Sequence, residues 1–352
     1  MAALVVVTLL MMTFVASHAQ SGALEIDLLM PAVQPQDPDT YLCMTKKVDD
    51  VHRYISGFVP KADPDIAHHM LLFGCEIPGG KVGTVWNCGE MTSTSGYKRG
   101  AVCAAGRNII YAWALDAPRL NLPADVSFDV GSGTASKYLV LQVHYKNITS
   151  FKPPRNNTDS SGVTLVTSTT PTTKEAAILF FGTSGYIPAN SVEYFEAACV
   201  ITADVTLYPF AYRVHTHSNG RVVAGYRIRN GNWTEMGRKD PRLPQMFYNV
   251  TNPGLDIKKN DVLAFRCTME NLNARNIQIG PTVNDEMCNL YLMYYVDRTP
   301  DLGSHTCQSG GPPYWFWTSY ANQRAINLAG QPKDVSIIPG TDTPYIRKIN
   351  RG

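Results

Sequence analysis

The chain has 352 residues, 44% of them hydrophobic and 17% charged, which is enough apolar material for one large or two ordinary domains and argues against disorder. Its formal net charge is +2, with no basic run able to track phosphates, so nucleic acid is excluded as a partner class.

Residues 4–15 form an apolar run too short to span a bilayer comfortably, followed by the small-residue site Ser17-His18-Ala19. This reads as a signal peptide over residues 1–19, which directs the chain to the secretory pathway, the secretory granule lumen or the extracellular space. No later stretch is long and apolar enough for a transmembrane segment. The secretory route agrees with eight cysteines, Cys43, Cys75, Cys88, Cys103, Cys199, Cys267, Cys288 and Cys307, which form an even set suited to four disulfides. Four lie in the first part of the chain and four in the last, as in two separately stapled units; spacing alone leaves the pairing open. Sequons at Asn147, Asn156, Asn232 and Asn249 are candidate glycosylation sites.

Residues 20–40, with Pro31, Pro35 and Pro38, read as a lead-in segment. From Tyr41 the chain consists of short β-type runs broken by Gly, Pro, Asn and Asp, including residues 66–74, 108–114 and 138–145. No segment keeps a helical period. A Ser/Thr/Pro-rich shift over residues 147–175 places a boundary near 165–175. Strand patterns then resume. The expected organisation is all-β: antiparallel units over 41–170 and 171–320, then a polar, flexible tail over 321–352.

The stretch Tyr212-Arg213-Val214-His215-Thr216-His217 reads as a strand running into a turn. Residues two apart on a strand share a face, so Arg213, His215 and His217 project together, as in a metal site with an anion-binding neighbour. His68, His69 and His144 supply three more imidazoles in strand-like runs. The adjacent pair can serve one ion only if the backbone is irregular there or the rings use different nitrogens. Met287, in a polar turn entering a strand, offers a thioether, which together with imidazoles selects copper, Cu(I) above all.

Four motifs occur in order: His68-His69-Met70-Leu71-Leu72-Phe73-Gly74-Cys75, Leu141-Gln142-Val143-His144-Tyr145, Arg213-Val214-His215-Thr216-His217 and Glu286-Met287-Cys288-Asn289-Leu290-Tyr291. Together they resemble the peptidylglycine α-hydroxylating monooxygenase family of copper type II, ascorbate-dependent enzymes, over about residues 40–310. The resemblance implies two antiparallel jelly-roll β-sandwich domains facing each other across a solvent-filled cleft, each with one copper. It implies a first copper on His68, His69 and His144, which stores an electron, and a second on His215, His217 and Met287, where dioxygen is used on the substrate C–H bond. Arg213, Asn289 and Tyr291 would grip a peptide's terminal carboxylate, Met293 would line the substrate pocket, and Gln142 would lie beside the first copper. The implied disulfides are Cys43–Cys88, Cys75–Cys103, Cys199–Cys307 and Cys267–Cys288. The sequence departs from the family in lacking a further cysteine pair and in a longer stretch over residues 90–106.

The implied reaction is α-hydroxylation of the C-terminal glycine of glycine-extended peptides, with two copper ions per chain, ascorbate as reductant and O2 as co-substrate. No lyase domain is expected within the chain, which leaves the second step of amidation to a separate lyase. Two other readings remain open: a dopamine β-monooxygenase-like hydroxylase of a small amine, and a non-catalytic secreted copper-binding β-sandwich protein.

Overall fold

The computed structural model describes residues 24–348 apart from 90–95, 115, 283, 299–305 and 320–325. The signal-peptide segment and residues 90–95 of the 90–106 stretch therefore lie outside the described residues. The longer strands are β1 (Leu24–Leu29), β2 (Thr40–Lys47), β3 (His52–Lys61), β4 (His69–Cys75), β5 (Asn108–Ala114), β6 (Val126–Gly131), β7 (Tyr138–Tyr145) and β8 (Gly162–Ser168). They continue as β9 (Lys174–Thr183), β10 (Ser191–Val200), β11 (Tyr208–His215), β12 (Gly220–Arg229), β13 (Asn232–Lys239), β14 (Val262–Asn271), β15 (Asn289–Asp297) and β16 (Thr306–Ser309). The described helical elements are two single 3₁₀ turns, so the fold is all-β.

In the N-terminal half, strands in the order β1-β8-β3-β6 form one layer and β2-β7-β4-β5 the other. Their inward positions, among them Leu28, Ile55, Phe58 and Leu165 against Leu42, Leu72, Leu141 and Trp113, make one buried core. The C-terminal half repeats the plan, with β9-β15-β11 over β10-β14-β12-β13. Phe181, Leu290 and Val214 there pack on Phe195, Val223 and Phe265. Alternation along each strand gives these faces.

The halves are joined through the sheet. A short parallel pairing of Val126 with Lys174 and Ser127 with Glu175 links β6 to β9, just past the chain's crossing from one half to the other. The layer β9-β15-β11 is consequently buried on both faces. Leu290 and Leu292 point into the C-terminal core, while Ala176, Ile178, Ala211, Tyr291 and Met293 point into the N-terminal one. Arg298 ties the halves at one end, donating to Asp129 and, at 3.2 Å, to Ser127 Oγ. Tyr41 ties them at the other, donating to the Pro281 carbonyl at 2.7 Å.

Two expectations change. The lead-in contains strand β1, paired along its whole length with β8. Its period-two pattern is blurred because an edge strand buries few side chains. The tail is not free over its described residues 326–348. Ile326 and Val335 are buried with Trp317 on the outer face of β12 and β14, and Arg347 pairs with the buried Glu193. Val192 and Lys348 form a β-bridge. Of its polar side chains, Ser336 bonds to Thr268 and Arg347 to Glu193 of this sheet.

The four disulfides are Cys43–Cys88, Cys75–Cys103, Cys199–Cys307 and Cys267–Cys288, the pairing implied by the resemblance. The four sequon asparagines are all exposed.

Candidate metal and substrate site

The first histidine set forms on neighbouring strands. His69 opens β4 and is the cross-strand partner of His144 on β7. His68 stands just before β4, its N–H donating to the His144 carbonyl at 2.9 Å. That break in strand geometry lets two consecutive imidazoles turn to one point. One ligand atom from each of His68, His69 and His144 falls within a 4.8 Å cluster.

The second set comes from the C-terminal half. Arg213 and His215 share a face of β11 and stand opposite Tyr291 and Asn289 of β15. His217 lies past the end of β11 and reaches the cluster from the turn. The sets meet: the His69 and His215 ring centroids are 5.5 Å apart, and those of His68 and His217 are 6.5 Å apart. The open cleft implied between the metals is closed here to ring contact. A cavity of about 530 Å³ opens beside it, lined by His69, Gln142, Arg213, His215, Met287, Asn289 and Tyr291 among others. Met293 does not reach it; the side chain is fully buried in the N-terminal core, on the same face of β15 but one step deeper.

Oxygen acceptors fix three tautomers. His215 Nδ1–H donates to Gln245 Oε1 at 2.5 Å, and His217 Nδ1–H to the Asp285 carbonyl at 2.9 Å. His144 Nε2–H donates to Asp39 Oδ1 at 3.1 Å, and its ring stacks on Tyr41. A neutral imidazole carries one N–H, so the other nitrogen of each presents a lone pair. His144 Nδ1, His217 Nε2 and His69 Nδ1 are buried without a hydrogen-bond partner. Buried polar atoms are ordinarily satisfied, and the orphans on His144 and His217 are lone pairs, one from each set. Burial, first of all, and neighbouring cationic groups hold His68 down at about 3, and the same cause lowers His69, His144 and His215. These rings stay neutral near pH 7, the form that binds a metal. With oxygen-anchored imidazoles and a thioether, the donor set fits copper.

Glu286 is assigned no role by the sequence. It is fully buried, and one carboxylate oxygen accepts the N–H groups of both His217 and Met287. The other accepts the backbone and side-chain N–H of Asn219, at 2.7 and 3.1 Å. Asp39 precedes β2 with a left-handed backbone (φ 56°), so strand alternation could not have flagged it. Nothing in the sequence pointed to Gln245.

Arg213 is buried, and its Nε–H donates to the Gln245 carbonyl at 2.8 Å. Its guanidinium carbon lies 5.1 Å from the Tyr291 ring centroid. Desolvation lowers its pKa, and the groups opposing that are the Tyr291 and Tyr111 hydroxyls, not a carboxylate. Gln142 donates to Cys88 Sγ at 3.5 Å on the cavity wall.

Among solved structures, the major capsid protein P2 of bacteriophage PM2 aligns at a TM-score of 0.30 and 7% identity, over 80% of this chain and 98% of that one, too slight a likeness to inform the fold. Sequence relatives are closer. Peptidylglycine alpha-amidating monooxygenase of Rattus norvegicus is 41% identical over 83% of this chain and 29% of that protein. Peptidyl-glycine alpha-amidating monooxygenase A of Xenopus laevis is 40% identical over 88% of this chain and 31% of that protein. The chain thus spans about three tenths of the length of these relatives. Dopamine beta-hydroxylase of Bos taurus is 27% identical over 85% of this chain and 50% of that protein. The N-terminal domain model of the copper type II ascorbate-dependent monooxygenases matches residues 26–152, and the C-terminal domain model matches residues 174–320. With both models matched in order over most of its length, the chain belongs to the copper type II ascorbate-dependent monooxygenase family.

Proposed function

We propose that the chain hydroxylates the α-carbon of the C-terminal glycine of glycine-extended peptides. The observation that carries this reading is the buried Arg213, a guanidinium without a carboxylate partner among the described residues, facing the cavity that also holds His215 and Met287. A buried cation is stable only when paired, and a peptide's terminal carboxylate supplies the missing charge with bidentate geometry. The Tyr291 hydroxyl and Asn289 amide lie on the same wall.

Anchoring the carboxylate also sets the reacting carbon. Arg213 and His215 are about 7 Å apart along β11. Glycine's α-carbon is one bond from the carboxylate, so it is held between the anchor and the second histidine set. Met287 closes that end, with Asn289 Nδ2 donating to its sulfur at 3.7 Å. Tyr41, Gln142 and Phe180 wall the cavity and restrict water.

His68, His69 and His144 would hold one copper and His215, His217 and Met287 the other. Copper bound there would supply one-electron redox chemistry and the use of O2, with ascorbate as the electron source. Glu286, Gln245 and Asp39 act as positioning residues that keep lone pairs turned toward the metals.

The same guanidinium disfavours a small amine substrate, whose ammonium it would repel. The division into jelly-roll units over 41–170 and 171–320, secretion, glycosylation at the exposed sequons and a separate lyase for the second step complete the proposal. Among the described residues no helix is long and apolar enough to cross a membrane.

The test is mass spectrometry of a glycine-extended peptide after incubation with copper, ascorbate and oxygen. A gain of one oxygen atom, abolished in Met287→Ile, supports the reading; a wild-type chain that leaves the peptide unchanged refutes it.

A further inference from the structure

Two cavities meet at His215. The larger holds Arg213, Met287 and Tyr291. A second, of about 230 Å³, is lined by His68, His217, Lys146, Arg242, Thr216 and Ser218 among others. It touches His68 of the first histidine set and His215 and His217 of the second, with the His68 and His217 rings 6.5 Å apart. The peptide anchor Arg213 lies outside it.

The lining of this second cavity is cationic and carries two hydroxyls, and none of its described residues is acidic. Lys146 follows His144 by two residues at the end of β7 and is exposed. Arg242 is held in place by Asp240, with Nε donating to Oδ1 at 2.9 Å and Nη2 to Oδ2 at 2.6 Å. That carboxylate partly offsets the arginine, while Lys146 adds a second positive charge to the lining. Sites for drug-sized ligands run to about 300–1,000 Å³, so this cavity suits a smaller molecule. A peptide would not fit.

We propose that the second cavity is where the reductant docks. Its ligand is a small ene-diol monoanion, the chemical class of ascorbate, drawn in by Lys146 and Arg242 and hydrogen-bonded by Thr216 and Ser218. In each event the monoanion gives one electron through His68 or His217 to a histidine-held copper(II), releases one proton to solvent and leaves as the radical anion. Two events load both metals. Because the peptide occupies the other cavity, reduction proceeds with the peptide bound. This inference rests on the copper reading above.

The experiment is anaerobic rapid mixing of the copper-loaded chain with ascorbate or with uncharged hydroquinone, following loss of the copper(II) electron paramagnetic resonance signal. Reversing or removing charge, in Lys146→Glu and Arg242→Gln, should slow reduction by ascorbate by about tenfold, as expected for lost electrostatic steering. Reduction by hydroquinone should be unchanged. Saturating glycine-extended peptide should leave the ascorbate rate intact. In the metal-free full chain, saturation-transfer NMR should show ascorbate bound to the wild type and released in Lys146→Glu. Equal slowing with both reductants, no slowing with either, or competition between peptide and ascorbate overturns the proposal. Failure of both reductants on the wild type removes the copper reading itself and this proposal with it.

Discussion

Arg213 and Tyr291 are cross-strand partners, the first on β11 and the second on β15, with the guanidinium carbon 5.1 Å from the ring centroid. The pair is buried, and a carboxylate entering beside it would meet a charge already stripped of water. Tyr291→Phe keeps the ring over the guanidinium and removes the hydroxyl. A hydrogen bond to a charged group contributes about 1.5–3 kcal/mol, so KM for a glycine-extended peptide should rise by about tenfold or more. The value of kcat should change little, because the hydroxyl grips the carboxylate equally before and during reaction. Steady-state oxygen uptake against peptide concentration decides it, and an unchanged KM removes Tyr291 from the anchor.

Glu286 makes a second prediction. Its carboxylate collects N–H groups from His217, Met287 and Asn219, joining the turn after β11 to the approach to β15. Glu286→Gln is nearly the same size, but its NH₂ group must face an N–H donor. The expected cost is about 1–3 kcal/mol of stability, with copper lost from the His215, His217 and Met287 set and kept by His68, His69 and His144. Copper stoichiometry after dialysis, read with Tm, tests this. Two coppers retained at wild-type Tm would show that the carboxylate positions nothing.

What the sequence revealed and what it hid divide along physical lines. Alternation on β11 and β15 put Arg213 with His215 and Asn289 with Tyr291, because strand periodicity is a local property. Met293 obeys the same alternation yet misses the cavity. Its depth depends on how the N-terminal core packs over β15, which no local pattern records. His68 and His69 could share a point only through a backbone irregularity, and that irregularity is present. The contact of His69 with His215 was hidden, since it depends on how closely the halves dock. Asp39 and Gln245 reach His144 and His215 from distant segments, and Glu286, though next to Met287, also holds the distant His217 N–H; an isolated acid or amide in a turn reads as ordinary surface.

Acid should destabilise the metal-free protein. Burial depresses the pKa of His69 and His215 well below the ordinary value, and His68 falls to about 3. In the unfolded chain these rings titrate near about 6.5. Between those limits the unfolded state binds more protons, so stability is complete above about pH 6.5 and declines as pH falls below it. Going from pH 7 to 5 should cost about 2 kcal/mol for each ring kept neutral by the fold. Calorimetric Tm across that range measures the slope. Replacing His69 and His215 by Leu should flatten it, and an unaltered slope would assign the acid sensitivity to other groups.

The segment over residues 326–348 should behave as part of the C-terminal sandwich. Ile326 and Val335 are buried against Trp317, whose indole meets Trp233 edge-on at 5.2 Å. Arg238 donates to the carbonyls of Asp334 and Ile337 at 2.9 and 2.8 Å, and the Arg266 guanidinium lies 4.6 Å from the Trp317 ring. Burying a Val or Ile side chain contributes about 1.5–3 kcal/mol, so ending the chain at residue 325 should remove several kcal/mol and lower Tm. It would also leave the Glu193 carboxylate buried without Arg347, an uncompensated charge that the fold tolerates poorly. Glu193→Gln in the shortened chain should therefore recover part of the lost Tm. The same substitution in the full chain should lower it, by breaking the pair. Tryptophan emission should shift to the red as Trp317 meets water. The proposed copper ligands and Arg213 touch none of this segment, so the KM of the folded fraction should hold. A truncated chain with wild-type Tm and emission would return residues 326–348 to the flexible tail that their composition implies.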